Sequence, residues 1–240
     1  MRYEPRVISD TIHIRGGSRT EMYENRKRLN EILSPDSGEG TLFYTNNVGT
    51  FKIRAIARVV DAQGRVSNYN KCRIEFYCAD PYWQELKTQH KTAFSAANAG
   101  WTMGSYVSAS EGVFFAAAEK ISQIYNAASA STPVKIAING PFMTTANGYA
   151  RIINHTTGQH ITISQDIDSG NVLIINTEQR NISVLLDSDG EVADAFSYID
   201  PDSDLSFRLV PGTNLIEIAC NVEQITSSIS VEFVQRHIGL

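Results

Sequence analysis

The chain has 240 residues, 42% of them hydrophobic and 20% charged, with a formal net charge of −5. That suits one large or two ordinary globular domains. No apolar run approaches the roughly 18 residues of a membrane-spanning helix, and the opening MRYEPRVISD is charged where a secretory leader would be apolar, so the expectation is a soluble protein made in the cytoplasm without membrane insertion.

Charge is unevenly placed. Residues 1–87 hold 14 Lys+Arg against 11 Asp+Glu, and the remainder holds 7 against 15. A basic half and an acidic half suit stacked assembly, and equally the ordinary scatter between two domains. Of the three cysteines, Cys72 and Cys78 share a strand-like run six residues apart. At the rise of a strand they stand about 20 Å apart, too far for a disulfide, so all three read as small buried hydrophobes.

In chain order, RVISDTIHIRGG alternates through Val7, Ile12 and Ile14 and ends at Gly16-Gly17, which predicts a strand. Ser18-Arg19-Thr20-Glu21 has the form of a capping box, Ser18 accepting from the Glu21 amide and Glu21 reaching back to the Ser18 amide. The predicted helix packs through Met22, Leu29, Ile32 and Leu33, turns Glu24, Lys27, Arg28 and Glu31 outward, and stops at Pro35. Thr41–Thr45 and Phe51–Val60 read as strands, the second broken at Asp61-Ala62-Gln63-Gly64, with a short extended piece at Val66–Tyr69. Lys71–Cys78 alternates Cys72, Ile74, Phe76 and Cys78 against Arg73, Glu75 and Tyr77. The block closes at Asp80-Pro81-Tyr82-Trp83. It predicts an α+β unit, one helix on an antiparallel sheet.

Residues 84–112 are polar and rich in small residues, and read as a linker or exposed excursion. The piece GVFFAAAEKISQIYNAASAS, residues 112–131, carries alanines that favour a helix, yet Ile121, Gln123 and Tyr125 alternate as a strand would. From Pro133 the signal is β: VKIAING, YARIINH, QHITISQ, NVLIINT, ISVLLD, DLSFRLV, LIEIAC and ISVEFVQR, separated by Asn-Gly, Thr-Gly, Asp-Ser-Gly, Asp-Gly and Pro-Gly turns. That spacing predicts a β-sandwich.

Chemistry-bearing constellations are sparse. His155 and His160 flank a Thr-Thr-Gly turn and would face each other across a hairpin, but a metal needs further ligands. The Asp187–Glu191 run is explained by a type I′ turn; Asp200, Asp202 and Asp204 leave calcium as an open alternative to the commoner loop solvation. Asp166, Asp168 and Glu178 are carboxylates without a defined cleft. Gly16-Gly17 before a helix resembles an anion-binding N-terminus, a role that Glu21 already fills. Tyr149, Phe142, Tyr198 and Phe207 are candidates for a sugar-stacking platform, with core packing the commoner fate of such rings. The basic helix face Arg26, Lys27, Arg28 has no interleaved aromatics, so no nucleic-acid partner is expected.

Several motifs in order carry a family resemblance. GGSRTEMYENRKRLNEILSP, GEGTLFYT and CRIEFYCADPYW, then TPVKIAINGPF, ARIINHTTGQHITI, GNVLIINTEQRNISVLLDSDG and FRLVPGTNLIEI, resemble the distal tail proteins of long-tailed bacteriophages, over most of residues 6–235. The resemblance implies a mainly β chain. Residues 1–83 would be a partial ring-forming N-terminal domain, because family members usually carry more strands before EPRVIS. Residues 113–240 would be a galectin-like β-sandwich, and Ile121–Asn126 would be extended. It further implies a non-enzymatic component of the virion tail tip, phage or prophage, forming a hexameric ring (a hub). That ring would join the tail tube to the baseplate or adsorption apparatus. Its partners would be further copies of itself, the tail tube protein, a tail-tip or tail-associated lysin protein and a receptor-binding protein. The alternative is a carbohydrate- or receptor-binding module, with a glycan as ligand. No catalytic residue, cofactor site or metal site is carried over.

Overall fold

The computed structural model describes residues 4–66, 68–94, 121–142, 150–220 and 228–240, with the backbone alone at 61–66, 93, 94 and 220. The chain divides into two units, Met1–Leu86 with His237–Leu240, and Lys87–Arg236.

In the first unit, β1 (Arg6–Arg15) leads into helix α1 (Arg19–Ile32). Ser18 caps the helix by accepting from the Glu21 amide at 3.1 Å. The return contact differs from the expected box: Glu21 Oε2 accepts from the amide of Gly17 at 2.7 Å. Gly16 is required here, since a Cβ would lie 2.5 Å from the Met22 nitrogen. Met22 is buried against Ile14 and Cys72, with Ile12, Leu29 and Val59 around them. Ile32 departs from the predicted stripe and is 64% exposed. At about 100° per residue it lies some 80° round the helix from Met22, whereas Leu33 lies within about 20°.

A 3-10 turn at Pro35–Ser37 leads to β2 (Gly40–Thr45), which pairs antiparallel with the start of β3 (Thr50–Val66). Asn46 closes their turn, its Oδ1 accepting from the Val48 and Gly49 amides. The predicted break at Asp61–Gly64 is instead absorbed as two register shifts, Val59/Asp61 and Gln63/Val66, against β4 (Tyr69–Cys78). A bulge tolerates turn-forming residues without ending the ladder, so β3 continues to Val66 and no separate extended piece follows. β1 pairs with the far edge of β4.

The expected linker is corrected over its first residues: Trp83–Phe94 is β5, pairing with β3 through Lys52↔Gln84 and Phe51↔Glu85. WQELKTQHKT lacks apolar alternation, and the strand is held by ladder hydrogen bonds that sequence periodicity does not report. Residues 95–112, the rest of that reading, and 113–120 lie outside the described residues. Phe51, Ile53, Ala55, Cys78 and Trp83 form this unit's second apolar cluster.

The second unit opens with β6 (Ile121–Asn126), extended as the family resemblance implies, then β7 (Thr132–Pro133), β8 (Lys135–Asn139), β9 (Ala150–Asn154), β10 (Gln159–Ile163), β11 (Asn171–Asn176) and β12 (Ser183–Ser188). A type I′ turn, with positive φ at Asp189 and Gly190, leads into β13 (Glu191–Asp194), a strand the sequence reading lacks. Then come β14 (Arg208–Leu209), β15 (Gly212–Cys220) and β16 (Ile229–His237). One sheet runs β16-β8-β11-β12-β13 and the other β10-β9-β15-β6. Their inward residues, among them Ile136, Ile138, Leu173, Ile175 and Val231 from one and Ile124, Ile152, Ile161, Ile216 and Ile218 from the other, form one core. This is a β-sandwich in which alternate residues of most strands point into the core.

DLSFRLV, read as a sheet strand, keeps only Arg208–Leu209 in β14, paired with β7. Buried polar side chains hold this crosspiece. Asn126 Nδ2 donates to Leu209 O at 3.0 Å and Asn154 Nδ2 to Arg208 O at 2.9 Å. Asn214 Oδ1 accepts from the Val210 amide at 2.9 Å, and Thr177 Oγ1 stands 2.8 Å from Phe207 O. All four side chains are fully buried. Each satisfies backbone groups that a short two-residue ladder leaves over.

Candidate functional site

The candidate sites among the described residues are surfaces. On the sheet of the first unit, alternation buries Ile53, Ala55, Cys72 and Ile74 and sends their neighbours outward. The register aligns these outward residues in rows across β1 and β4, with β3 adding a residue to the first two: Val7, Tyr77 and Ile56; then Ser9, Glu75 and Arg58; then Thr11 and Arg73; then His13 and Lys71; then Arg15 and Tyr69. The first row leaves three large apolar side chains 54%, 45% and 38% exposed.

In the second row Glu75 is a buried carboxylate on an otherwise open face. Arg58 donates to its Oε2 through Nη2 at 2.8 Å and Nε at 3.2 Å, and Arg73 Nη2 donates to Oε1 at 2.9 Å. The Arg58 hydrogen bond, with both guanidinium charges, holds the Glu75 carboxyl below the usual carboxylate range against the opposing effect of desolvation. Arg15 lies over the Tyr69 ring at 5.8 Å, and His13 hydrogen-bonds the Tyr69 hydroxyl. Beside the helix, Arg26, Asn30, Leu33, Pro35, Arg58 and Val60 border an open groove of about 340 Å³.

On the second unit, the outer face of the four-stranded sheet presents Tyr125, Leu215 and Ile121 beside Gln123 and a hydrogen bond between His155 and Glu217. His155 and His160 do not face each other. His160 is opposite Ile153 in the register and lies 3.8 Å from Asp204, while His155 turns to Glu217. The hairpin turn adds residues after Asn154, which puts the two rings out of register.

The proposed stacking platform is not assembled from its named residues. Phe142 and Phe207 are core residues, Tyr198 packs on the core, and Tyr149 lies outside the described residues. Apolar burial takes the rings wherever alternation points them inward. Asp200 accepts from the Asp202 amide, and Asp204 from the His160 amide, both as loop stabilisers. Glu178 pairs with Arg236 at 3.1 Å, and Asp168 turns its carbonyl toward Gly140. Among the described residues no three His, Cys, Asp or Glu side chains stand together as a metal set. The Arg58–Glu75–Arg73 cluster had only a partial sequence signal. Arg73 and Glu75 are i,i+2 on one strand, but Arg58 joins them through the β3–β4 register.

A helix-backed antiparallel sheet and a two-sheet sandwich define a mainly β protein. Residues 127–237 match the family described as siphovirus-type tail component, C-terminal domain. The resemblance to phage tail components carried by the motifs is thereby borne out. Comparison with curated protein sequences finds no match. Among solved structures the chain resembles SPP1 Dit, described as a paradigm of the hub adsorption apparatus in Gram-positive-infecting phages. That likeness has 15% identity and a TM-score of 0.63, over 98% of this chain and 80% of that one. At that identity it is a likeness of fold. Weaker matches are to the activated phage P2 baseplate with Ca (12% identity, TM-score 0.47, 95% of this chain and 78% of that one) and to the phage p2 baseplate with Sr (12%, 0.45, 93% and 78%).

Proposed function

We propose that this protein is a non-enzymatic structural component of a siphophage or prophage tail tip. Copies of the chain assemble into a ring, a hexameric hub, that joins the tail tube to the baseplate or adsorption apparatus. The observation that carries this reading is the tail-component match over residues 127–237. The whole-chain fold similarity to SPP1 Dit supports it. The first unit is the ring-forming part, and the second unit is the galectin-like sandwich. The partners are the tail tube protein, a tail-associated lysin protein and a receptor-binding protein. Mass photometry with negative-stain imaging tests the assembly. A six-fold ring is expected; a strict monomer at high concentration that also ignores tail tube protein would overturn it.

A second reading, a sandwich that itself binds a host glycan, is favoured by the exposed Tyr125 beside the His155–Glu217 pair. Glycan-array binding by the full chain, lost in Tyr125→Ala, is its expected result; an empty array removes it.

A further inference from the structure

We infer that the outward sheet face of the first unit binds the sugar-phosphate backbone of a nucleic acid, an interaction beyond the assembly role proposed above. Four cations share this face, Arg15, Arg58, Lys71 and Arg73, against the carboxylate of Glu75, and Asp61 stands opposite Arg73 in the backbone register. Glu75 is buried, so its charge is spent on the two guanidinia it holds, and their side chains remain 64% and 56% exposed. A pair of arginines fixed on one carboxylate is pre-organised for phosphate, because little side-chain freedom remains to be lost on binding.

The arrangement is also extended. Same-face residues on a strand repeat about every 7 Å, so the five rows cover roughly 27 Å. That length suits a linear polyanion better than a single acidic group. Tyr69 and Tyr77 bracket Lys71 and Arg73 on the same strand, and aromatic rings between cations offer stacking to bases that an acidic peptide cannot use. The acidic excess of the chain lies in residues 88–240. Salt screens exposed charges beyond about 10 Å at 0.1 M, so the local face governs the contact.

The test is fluorescence anisotropy of the full chain with a labelled 30-nucleotide DNA, single-stranded in one arm and duplex in the other. With three phosphates neutralised, affinity for duplex falls about 40-fold between 50 and 200 mM salt. Arg15→Ala with Lys71→Ala, which leaves the Glu75 cluster untouched, lowers the log–log salt slope by about 1.8. The triple change Arg58→Ala, Arg73→Ala, Glu75→Gln weakens binding further without stranding a buried charge. Stronger single-strand binding that Tyr77→Ala reduces marks base stacking; equal arms mark backbone contact alone, and both support the inference. No binding at 20 mM salt, binding indifferent to these changes, or equal competition by polyglutamate would overturn it, the last in favour of an acidic protein partner.

Discussion

Thr177→Val isolates the polar clamp on the sandwich crosspiece. Valine matches threonine in shape, so the substitution removes a hydroxyl and little else. That hydroxyl accepts from the Val134 amide at 2.9 Å and lies 2.8 Å from Phe207 O and 3.0 Å from Val134 O. It has one proton, so it donates to one carbonyl at a time. Val134 O keeps the Thr177 backbone amide at 3.0 Å in any case. The change therefore strands two groups, the Val134 amide and the Phe207 carbonyl, in residues at most 2% exposed. Each stranded group costs about 1–3 kcal/mol, partly offset by the added methyl, for a net loss of about 2–4 kcal/mol. For a unit of this size that lowers the melting temperature by roughly 5–15 °C. Thr177→Ser keeps the hydroxyl and loses about 1 kcal/mol. Thermal unfolding followed by circular dichroism, with hydrogen exchange over residues 129–137 and 204–210, reads both effects. If Thr177→Val melts with the native protein, or Thr177→Ser is as damaged, the clamp is not what secures β14.

Gly140→Ala places a Cβ 1.9 Å from the Asp168 carbonyl oxygen, and a backbone neighbour cannot swing aside; a loss of at least about 2 kcal/mol in denaturant unfolding is expected. Met22→Ala opens a void between α1 and the sheet and costs about 2–4 kcal/mol, read as loss of exchange protection in β1 and β4. Ser18→Ala removes the helix cap and costs about 1 kcal/mol in the same measurement. Glu75→Gln carries a pH signature. The folded carboxyl is held below its usual range, so the unfolded chain binds the proton more readily. The stabilisation is then full above the ordinary Glu value of about 4.3 and is lost as pH falls through the lower folded value. Melting temperatures of native and Glu75→Gln protein should differ at pH 7 and draw together as pH falls below about 4; a constant gap contradicts the cause assigned to the shift.

Alternation and turn chemistry were legible residue by residue. Cys72, Ile74 and Cys78 are buried while Arg73 and Tyr77 are not, and Asp189-Gly190 forms the expected turn. Polar strands were not legible. β5, apart from the buried Trp83 at its start, and β13 show no apolar alternation, and their existence rests on pairing with a neighbour distant in sequence or across a tight turn. The interaction face followed the same pattern: Arg73 and Glu75 are visible on one strand, while Arg58 joins them from 17 residues away.

The sequence by itself determined the class of each half, because helix caps, a period of two and Asn-Gly or Asp-Gly turns are local and act before any long-range contact forms. It also carried the tail-component motifs. Only the tertiary structure decided where polar residues went. Asn126, Asn154, Asn214 and Thr177 look like solvent or turn residues in sequence, yet they are fully buried in the sandwich. They are inside because the crosspiece at Phe207–Val210 brings backbone groups that must be hydrogen-bonded away from water, and only a neighbour brought close by folding can do that.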